Sequence, residues 1–175
     1  MRYSLFIKTA CLTAGVSSLL LSPAGAIEFP SATGQGNIEY MDDRSSPQAV
    51  IASFYNAINS RQYPRAYSYY EGGVAPADYS KWAQGFAQTA HVRVITGSTQ
   101  PSPGAGQIYW SLPVAIEATQ KDGHKQVFAG CYQFHMANPG MITSPPYSPI
   151  AIQKGNLKPV TKPLDQALPT QCDPL

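Results

Sequence analysis

Between positions 46 and 70 large apolar side chains return every three or four residues; beyond position 90 they return at every second one. That change of period, from 3.6 to 2, predicts helices first and strands afterwards. Val50, Ile51, Phe54, Tyr55 and Ile58 fall on one helix face. Ser46 can cap this helix with its hydroxyl, and Pro47 fits a first turn, where its missing N–H costs nothing. Asn59-Ser60-Arg61 interrupts the pattern; Tyr63, Ala66, Tyr67 and Tyr70 resume it as a second, shorter helix that Gly72-Gly73 ends. A third helix is predicted over about 76–87, with Tyr79, Trp82, Ala83 and Phe86 on a single stripe.

The strand half starts with Val92 and Val94, which alternate with His91, Arg93 and Ile95. A connection rich in Gly, Pro and Ser (97–106) leads to Ile108, Trp110, Leu112, Val114 and Ile116 at every second position. Lys121-Asp122-Gly123-His124 is a hairpin turn with Asp-Gly at its centre. The return strand puts Phe128, Tyr132, Phe134 and Met136 on one face and Val127, Ala129, Cys131, Gln133 and His135 on the other. A proline-rich loop (142–149) precedes a last strand over about 150–160. The expected fold class is α+β: three N-terminal helices packed on one face of a curved, mainly antiparallel sheet of about four strands.

The ends of the chain add a compartment. Residues 1–26 combine Arg2 and Lys8, an apolar run and Ala24-Gly25-Ala26, which is the pattern of a cleavable signal peptide cut after Ala26. Thr9, Thr13, Gly15, Ser17 and Ser18 interrupt the run and leave it short of the ~20 apolar residues a bilayer span needs. Lys8 stands three residues before Cys11, where a lipoprotein signal wants an apolar side chain. A secreted or periplasmic protein follows, with no membrane span in the mature chain. Residues 27–45 mix Gly, Pro, Ser and acids without periodicity and read as a loose N-terminal arm. The main domain is expected over 46–160 and a tail over 161–175.

Charge and cysteines narrow the class further. The chain has 12 basic and 10 acidic residues; losing Arg2 and Lys8 brings the mature net charge to about zero. Without a basic run, phosphate-backbone binding lacks its electrostatic source, so nucleic acid is not an expected partner. Two cysteines survive cleavage, Cys131 and Cys172. An even count in an oxidising compartment argues for a disulfide that staples the tail, and closing a loop of that length is worth roughly 3–4 kcal/mol. A redox pair would more often come as C-x-x-C, which is absent.

The pattern S-P-x-x-V-I-x-x-F-Y-x-A-I-N-x-R-x-Y-x-x-A-Y, beginning at Ser46, resembles the first helix pair of the nuclear transport factor 2-like superfamily. The segment from Gly85 to Val94 is similar to that group's passage from third helix into sheet. Val127-Phe128-Ala129-Gly130-Cys131-Tyr132, together with Pro145-Pro146-Tyr147, resembles secreted bacterial members of unassigned function. The likeness spans roughly residues 46–160. It implies a cone-shaped α+β fold whose bent sheet and helices enclose a pocket, and it implies dimers that pair through the sheet. Phe54, Tyr55, Tyr67, Tyr70, Trp82, Phe86 and Trp110 would line that pocket.

Enzymes of this group place a carboxylate or histidine base, sometimes with a tyrosine, inside the apolar cone. An apolar cavity raises a carboxylate's pKa and strengthens hydrogen bonds to a developing oxyanion. The candidates here are His135, Asp78 and Tyr55, and no catalytic pattern of the group is matched residue by residue. Asp78, just before the third helix, reads first as a cap or dipole partner. His135 shares a strand face with Gln133 and Cys131, opposite the stronger apolar set, so a surface or interface histidine is the favoured reading. His91 and Arg93 show the same alternation. His124 lies in the hairpin turn, and Glu117 falls on the polar face of its strand. The tyrosine cluster of Tyr63, Tyr67, Tyr69 and Tyr70 could stack on a ring-bearing ligand, although such a stripe is more often core.

Other signals are weaker. Gly104-Ala105-Gly106 has no helix after it and does not support a dinucleotide site. Three separated histidines give no metal signature, no G-x-S-x-G elbow is present, and Pro146-Tyr147-Ser148-Pro149 reads as a covering loop. No cofactor is expected. Two functional readings follow. The preferred one is a non-enzymatic periplasmic module that binds a small apolar ligand or an envelope protein. The alternative is a small cofactor-independent isomerase or lyase acting on a hydrophobic cyclic substrate, with His135 or Asp78 as base and Tyr55 as hydrogen-bond donor.

Overall fold

Ser46 sits in extended geometry (φ −151°, ψ 160°), and its hydroxyl accepts the Ala49 amide at 3.1 Å. With Pro47 in the first turn, helix α1 (Pro47–Asn59) starts where the sequence places it. The computed structural model describes residues 27–28 and 39–172; the leader and most of the N-terminal arm lie outside the described residues. Helix α2 (Tyr63–Tyr67) and helix α3 (Tyr79–Gln84) follow. The third helix is shorter than the 76–87 stripe predicts. Asp78 caps it by accepting the Lys81 amide at 2.9 Å, and it buries no residue fully, so little packing extends it past Gln84.

Strands β1 (Ile27–Glu28), β2 (Thr89–Thr96), β3 (Ser102–Gly104), β4 (Gln107–Gln120), β5 (Lys125–Ala137) and β6 (Ala151–Val160) form one sheet. Its order is β1-β2-β4-β5-β6, every pairing is antiparallel, and β3 folds back on the first residues of β4. The sheet thus has six strands rather than about four. Beyond the four expected, β1 lies in the supposed arm and β3 within the Gly/Pro/Ser connection. The predicted hairpin is present: Gly123 takes φ +86°, and the Asp122 carboxylate accepts the His124 amide at 2.9 Å.

The two faces are those the alternation predicts. Trp110, Leu112, Val114 and Ile116 of β4, with Phe128, Tyr132, Phe134 and Met136 of β5, pack on Val50, Ile51, Phe54 and Ile58 of α1. A short helix α4 (Leu164–Ala167) covers part of the other face, where Leu164 and Ala167 meet Ile95, Ala115, Val127, Ala129 and Val160. The Cys131–Cys172 disulfide then fixes the tail to β5. This is the α+β plan that the resemblance implies. Part of the outer face through which a sheet-paired dimer would form is occupied by the chain's own tail. No helix among the described residues is long and apolar enough to cross a membrane.

The segment 39–45, expected to be loose, is tied down. The Met41 amide donates to Asn56 Oδ1, the Asp43 amide to Ser53 Oγ, and the Asn56 side-chain amide to the Glu39 carbonyl. Arg65 donates to the Met41 carbonyl, and the Tyr69 hydroxyl to Asp42 at 2.7 Å. All but the last of these bonds join side chains to an irregular backbone, a kind of order that leaves no hydrophobic period to read.

Candidate functional site

The helices bring a row of aromatic rings onto the inner face of the sheet. Phe54 of α1 is their hub: its ring centre lies 4.9 Å from Tyr55, 5.9 Å from Tyr70, and 6.4 Å from both Trp82 and Tyr132. Trp82 of α3 lies 5.2 Å from Tyr67 and 5.2 Å from Phe86, both edge to face, the geometry the ring quadrupoles favour. Trp110, on β4, belongs to the same core. All seven residues expected to line a pocket therefore reach one cluster or its margin. Burial falls off toward α3. Phe54 and Tyr55 are closed off, whereas Tyr63, Tyr70, Trp82 and Phe86 keep part of their surface in solvent.

Apart from Ser53 and Thr96, the fully buried polar side chains of the described residues are phenols. Tyr55 and Tyr132 are 3% and 6% exposed, and their hydroxyls lie 2.8 Å apart. Burial holds both phenols well above the ordinary tyrosine range, and it also raises Tyr70. Neutral hydroxyls carry one proton each. Within the pair one proton bridges the two oxygens, so the other is left to donate to a third group. Tyr132 reaches this position because Gly155 on β6 has no side chain: a Cβ there would come within 2.5 Å of the Tyr132 ring.

The candidate bases are elsewhere. Asp78 is exposed and caps α3. His135 lies on the outer face, where Nδ1 is 2.7 Å from Glu71 Oε1, Nε2 meets the Gln107 side-chain oxygen, and the ring stacks on Tyr109 at 5.0 Å. Gln153 holds the second Glu71 oxygen at 3.0 Å. A cleft of about 320 Å³ adjoins this cluster, with Arg44 and Ser68 on its wall together with Tyr70 and Met136 from the margin of the aromatic core. Glu117 pairs with Lys125 at 3.1 Å on the same outer face, and burial followed by the Arg93 charge lowers the His91 pKa. Among the described residues the buried polar side chains besides the tyrosines are Ser53 and Thr96, and no Asp, Glu or His is fully buried. No group of three such residues and Cys among them is arranged to hold a metal either.

Sequence reading found the tyrosines but missed two partners, Tyr132 for Tyr55 and Glu71 for His135. They are separated by 77 and 64 positions, and only the sheet's curvature and the turn after α2 bring them together. No local signal could have found either.

No protein-family model matches the chain, and no curated protein matches it in sequence. Among solved structures it is similar to a protein from Novosphingobium aromaticivorans provisionally described as an aromatic ring hydroxylase. The two share 14% identity at a TM-score of 0.48, over 67% of this chain and 93% of that one. It is also similar to a type 2 hexachlorocyclohexane dehydrochlorinase (LinA), with 10% identity and a TM-score of 0.45, over 67% of this chain and 88% of that one.

Proposed function

We propose that the protein is a non-enzymatic binding module of an oxidising compartment, taking a small apolar ligand against its aromatic interior. The ligand would enter beside α3, lie against Trp82, Phe86 and Tyr70, and accept one hydrogen bond from the Tyr55–Tyr132 pair. The observation that carries this reading is the placement of ionisable groups. Asp78 caps a helix in solvent, and His135 is engaged at both nitrogens on the opposite sheet face. An isomerase or lyase needs a base within about 3 Å of the reacting proton, oriented by a partner, and the interior offers neutral phenols. The disulfide and the expected leader agree with secretion or a periplasmic location.

The chain's two tryptophans, Trp82 and Trp110, both belong to this wall, so intrinsic fluorescence reports on it directly. Protein purified from its own envelope would be weighed by native mass spectrometry, then titrated with flat apolar ketones and their hydrocarbon counterparts. A co-purifying small molecule, or saturable quenching by the ketones and weaker quenching by the hydrocarbons, supports the reading. No bound molecule and no quenching by any of them would overturn it, and turnover of a cyclic substrate would restore the enzyme reading.

A further inference from the structure

A second cleft, of about 410 Å³, lies on the outer face of the sheet between strands β5 and β6 and the C-terminal tail. Lys154, Asn156 and Lys158 of β6 stand opposite Gln133, Cys131 and Ala129 of β5, so alternation turns all three outward. Gln171 and Cys172 form the far wall, held there by the Cys131–Cys172 disulfide. Ser111, opposite Gln133 on β4, completes the lining; its hydroxyl oxygen is buried and has no hydrogen-bond partner among the described residues. No carboxylate of the described residues lines the cleft, and neither lysine is ion-paired among them.

Two ammonium groups with no ion-pair partner among the described residues, in a concave site, concentrate anions. A buried hydroxyl without a partner carries its desolvation penalty until some group reaches it. Lysines on an outlying strand also discourage edge pairing. That role needs exposure alone; it accounts neither for the amide-lined wall around them nor for the orphaned Ser111 hydroxyl. The Cα atoms of Lys154 and Lys158 are four strand residues apart, roughly 13 Å, a span that two long side chains can close on one group. The volume suits a small organic molecule.

We propose that this cleft binds a small hydroxylated organic anion. Its carboxylate or phosphate group sits between Lys154 and Lys158, and its polar body is hydrogen-bonded by Gln133, Asn156, Gln171 and Ser111. The disulfide is part of the site, because reduction frees the wall that carries Gln171. The cleft is on the opposite face of the sheet from the aromatic interior, so it stands or falls independently of the apolar-ligand reading.

The test is an NMR titration of the isotope-labelled, oxidised protein, first with inorganic phosphate and then with glucuronate, following the amides of residues 129–133, 154–158 and 171–172. Saturable shifts confined to these residues are expected, at least tenfold weaker in a Lys154→Gln/Lys158→Gln variant. Both lysines are exposed, so that variant keeps its fold. A Cys131→Ser/Cys172→Ser variant should lose the shifts while the signals of the α1 core stay in place. Saturation by phosphate alone or by glucuronate alone identifies the anionic group, and either supports the site. Shifts that never saturate with either anion, or that survive in the double lysine variant, would overturn it.

Discussion

Tyr55 on α1 and Tyr132 on β5 meet hydroxyl to hydroxyl at 2.8 Å, inside a largely apolar and aromatic core. Removing one partner leaves the other buried and short of a bond, a loss of about 1–3 kcal/mol, whereas removing both leaves nothing unsatisfied. Tyr55→Phe and Tyr132→Phe should therefore each lower the urea midpoint. The double variant should lie closer to the parent than the sum of the two, with a coupling of about 1 kcal/mol in a double-mutant cycle. Strict additivity would mean that the two hydroxyls do not act as a pair. Tyr132→Phe should also weaken binding of a ketone ligand roughly fivefold to tenfold, the worth of one hydrogen bond.

The same burial predicts alkaline lability. Tyr69, 0% exposed, is pushed up to about 12, first by burial and then by its bond to the Asp42 carboxylate; Tyr55 and Tyr132 are raised as well. A phenol near 10 when unfolded and higher when folded ionises first in the unfolded chain. Its stabilising contribution is complete below pH 10 and is lost as pH rises through the folded value. Between pH 10 and about 12 stability should fall by about 1.4 kcal/mol per pH unit for each such group. Urea midpoints between pH 9 and 11.5 check this, and Tyr69→Phe should make the decline shallower. A flat profile over that window would mean the phenols ionise while folded.

Much of this fold is legible because its strongest signals are periodic. The switch from i, i+3, i+4 spacing at Val50–Ile58 to alternation at Ile108–Ile116 separates helix from strand. The same alternation puts Trp110 and Phe134 inside and His135 outside. What is not legible lacks a period. Strand β3 is Ser102-Pro103-Gly104, exposed throughout, and exists only through pairing with β4. Segment 39–45 is ordered by side chains reaching to backbone, and the donors Asn56 and Arg65 read on paper as ordinary polar helix residues. The interior's chemistry depends on which tyrosine faces which, a matter of tertiary approach.

Asp42 is the hinge of that ordered segment. The Tyr69 hydroxyl first, and the Arg44 guanidinium after it, hold its carboxyl below the usual carboxylate range. A depressed folded value means a contribution present above the unfolded pKa near 4 and lost as pH falls through the folded one. Residues 39–45 should accordingly exchange amide hydrogens faster at pH 3 than at pH 6, once the intrinsic rate is corrected for. Asp42→Asn should speed that exchange already at pH 6, at a cost of about 1 kcal/mol. Equal protection in the variant would show that the backbone bonds to Asn56 and Ser53 suffice.

His135 offers a sharp discriminator between the two functional readings. Glu71 and Gln107 occupy its two nitrogens, and Tyr109 covers its ring. As a clasp joining β4, β5 and the turn after α2, it should lower stability by about 1–2 kcal/mol when changed to Ala. Binding against Trp82 and Phe86 should be unchanged even though His135 shares a cleft with Tyr70, since Glu71 and Gln107 already hold both of its nitrogens. Tryptophan fluorescence titrations of His135→Ala against the parent measure both quantities. A large loss of ligand affinity or of any turnover, with stability intact, would return this histidine to the role of base.

The tail is worth testing as a structural element in its own right. Cys131 and Cys172 close a loop of 41 positions, for which chain-entropy reasoning gives about 4 kcal/mol. The packing of Leu164 and Ala167 on the outer face adds to this only while the tail is held in place. The Cys131→Ser/Cys172→Ser variant should therefore lose about 3–4 kcal/mol, and its residues 161–172 should become sensitive to protease. Leu164→Ala in the oxidised protein should cost about 2 kcal/mol with the tail still protected. The contrast matters for assembly as well. With α4 in place, Ala115, Ala129 and Val127 are covered; with the tail released they form an apolar strip on the face a sheet-paired dimer would use. Analytical ultracentrifugation should therefore find more self-association in the cysteine variant than in the oxidised parent. A variant no more associated than its parent would mean that the tail stabilises the sheet without shielding it.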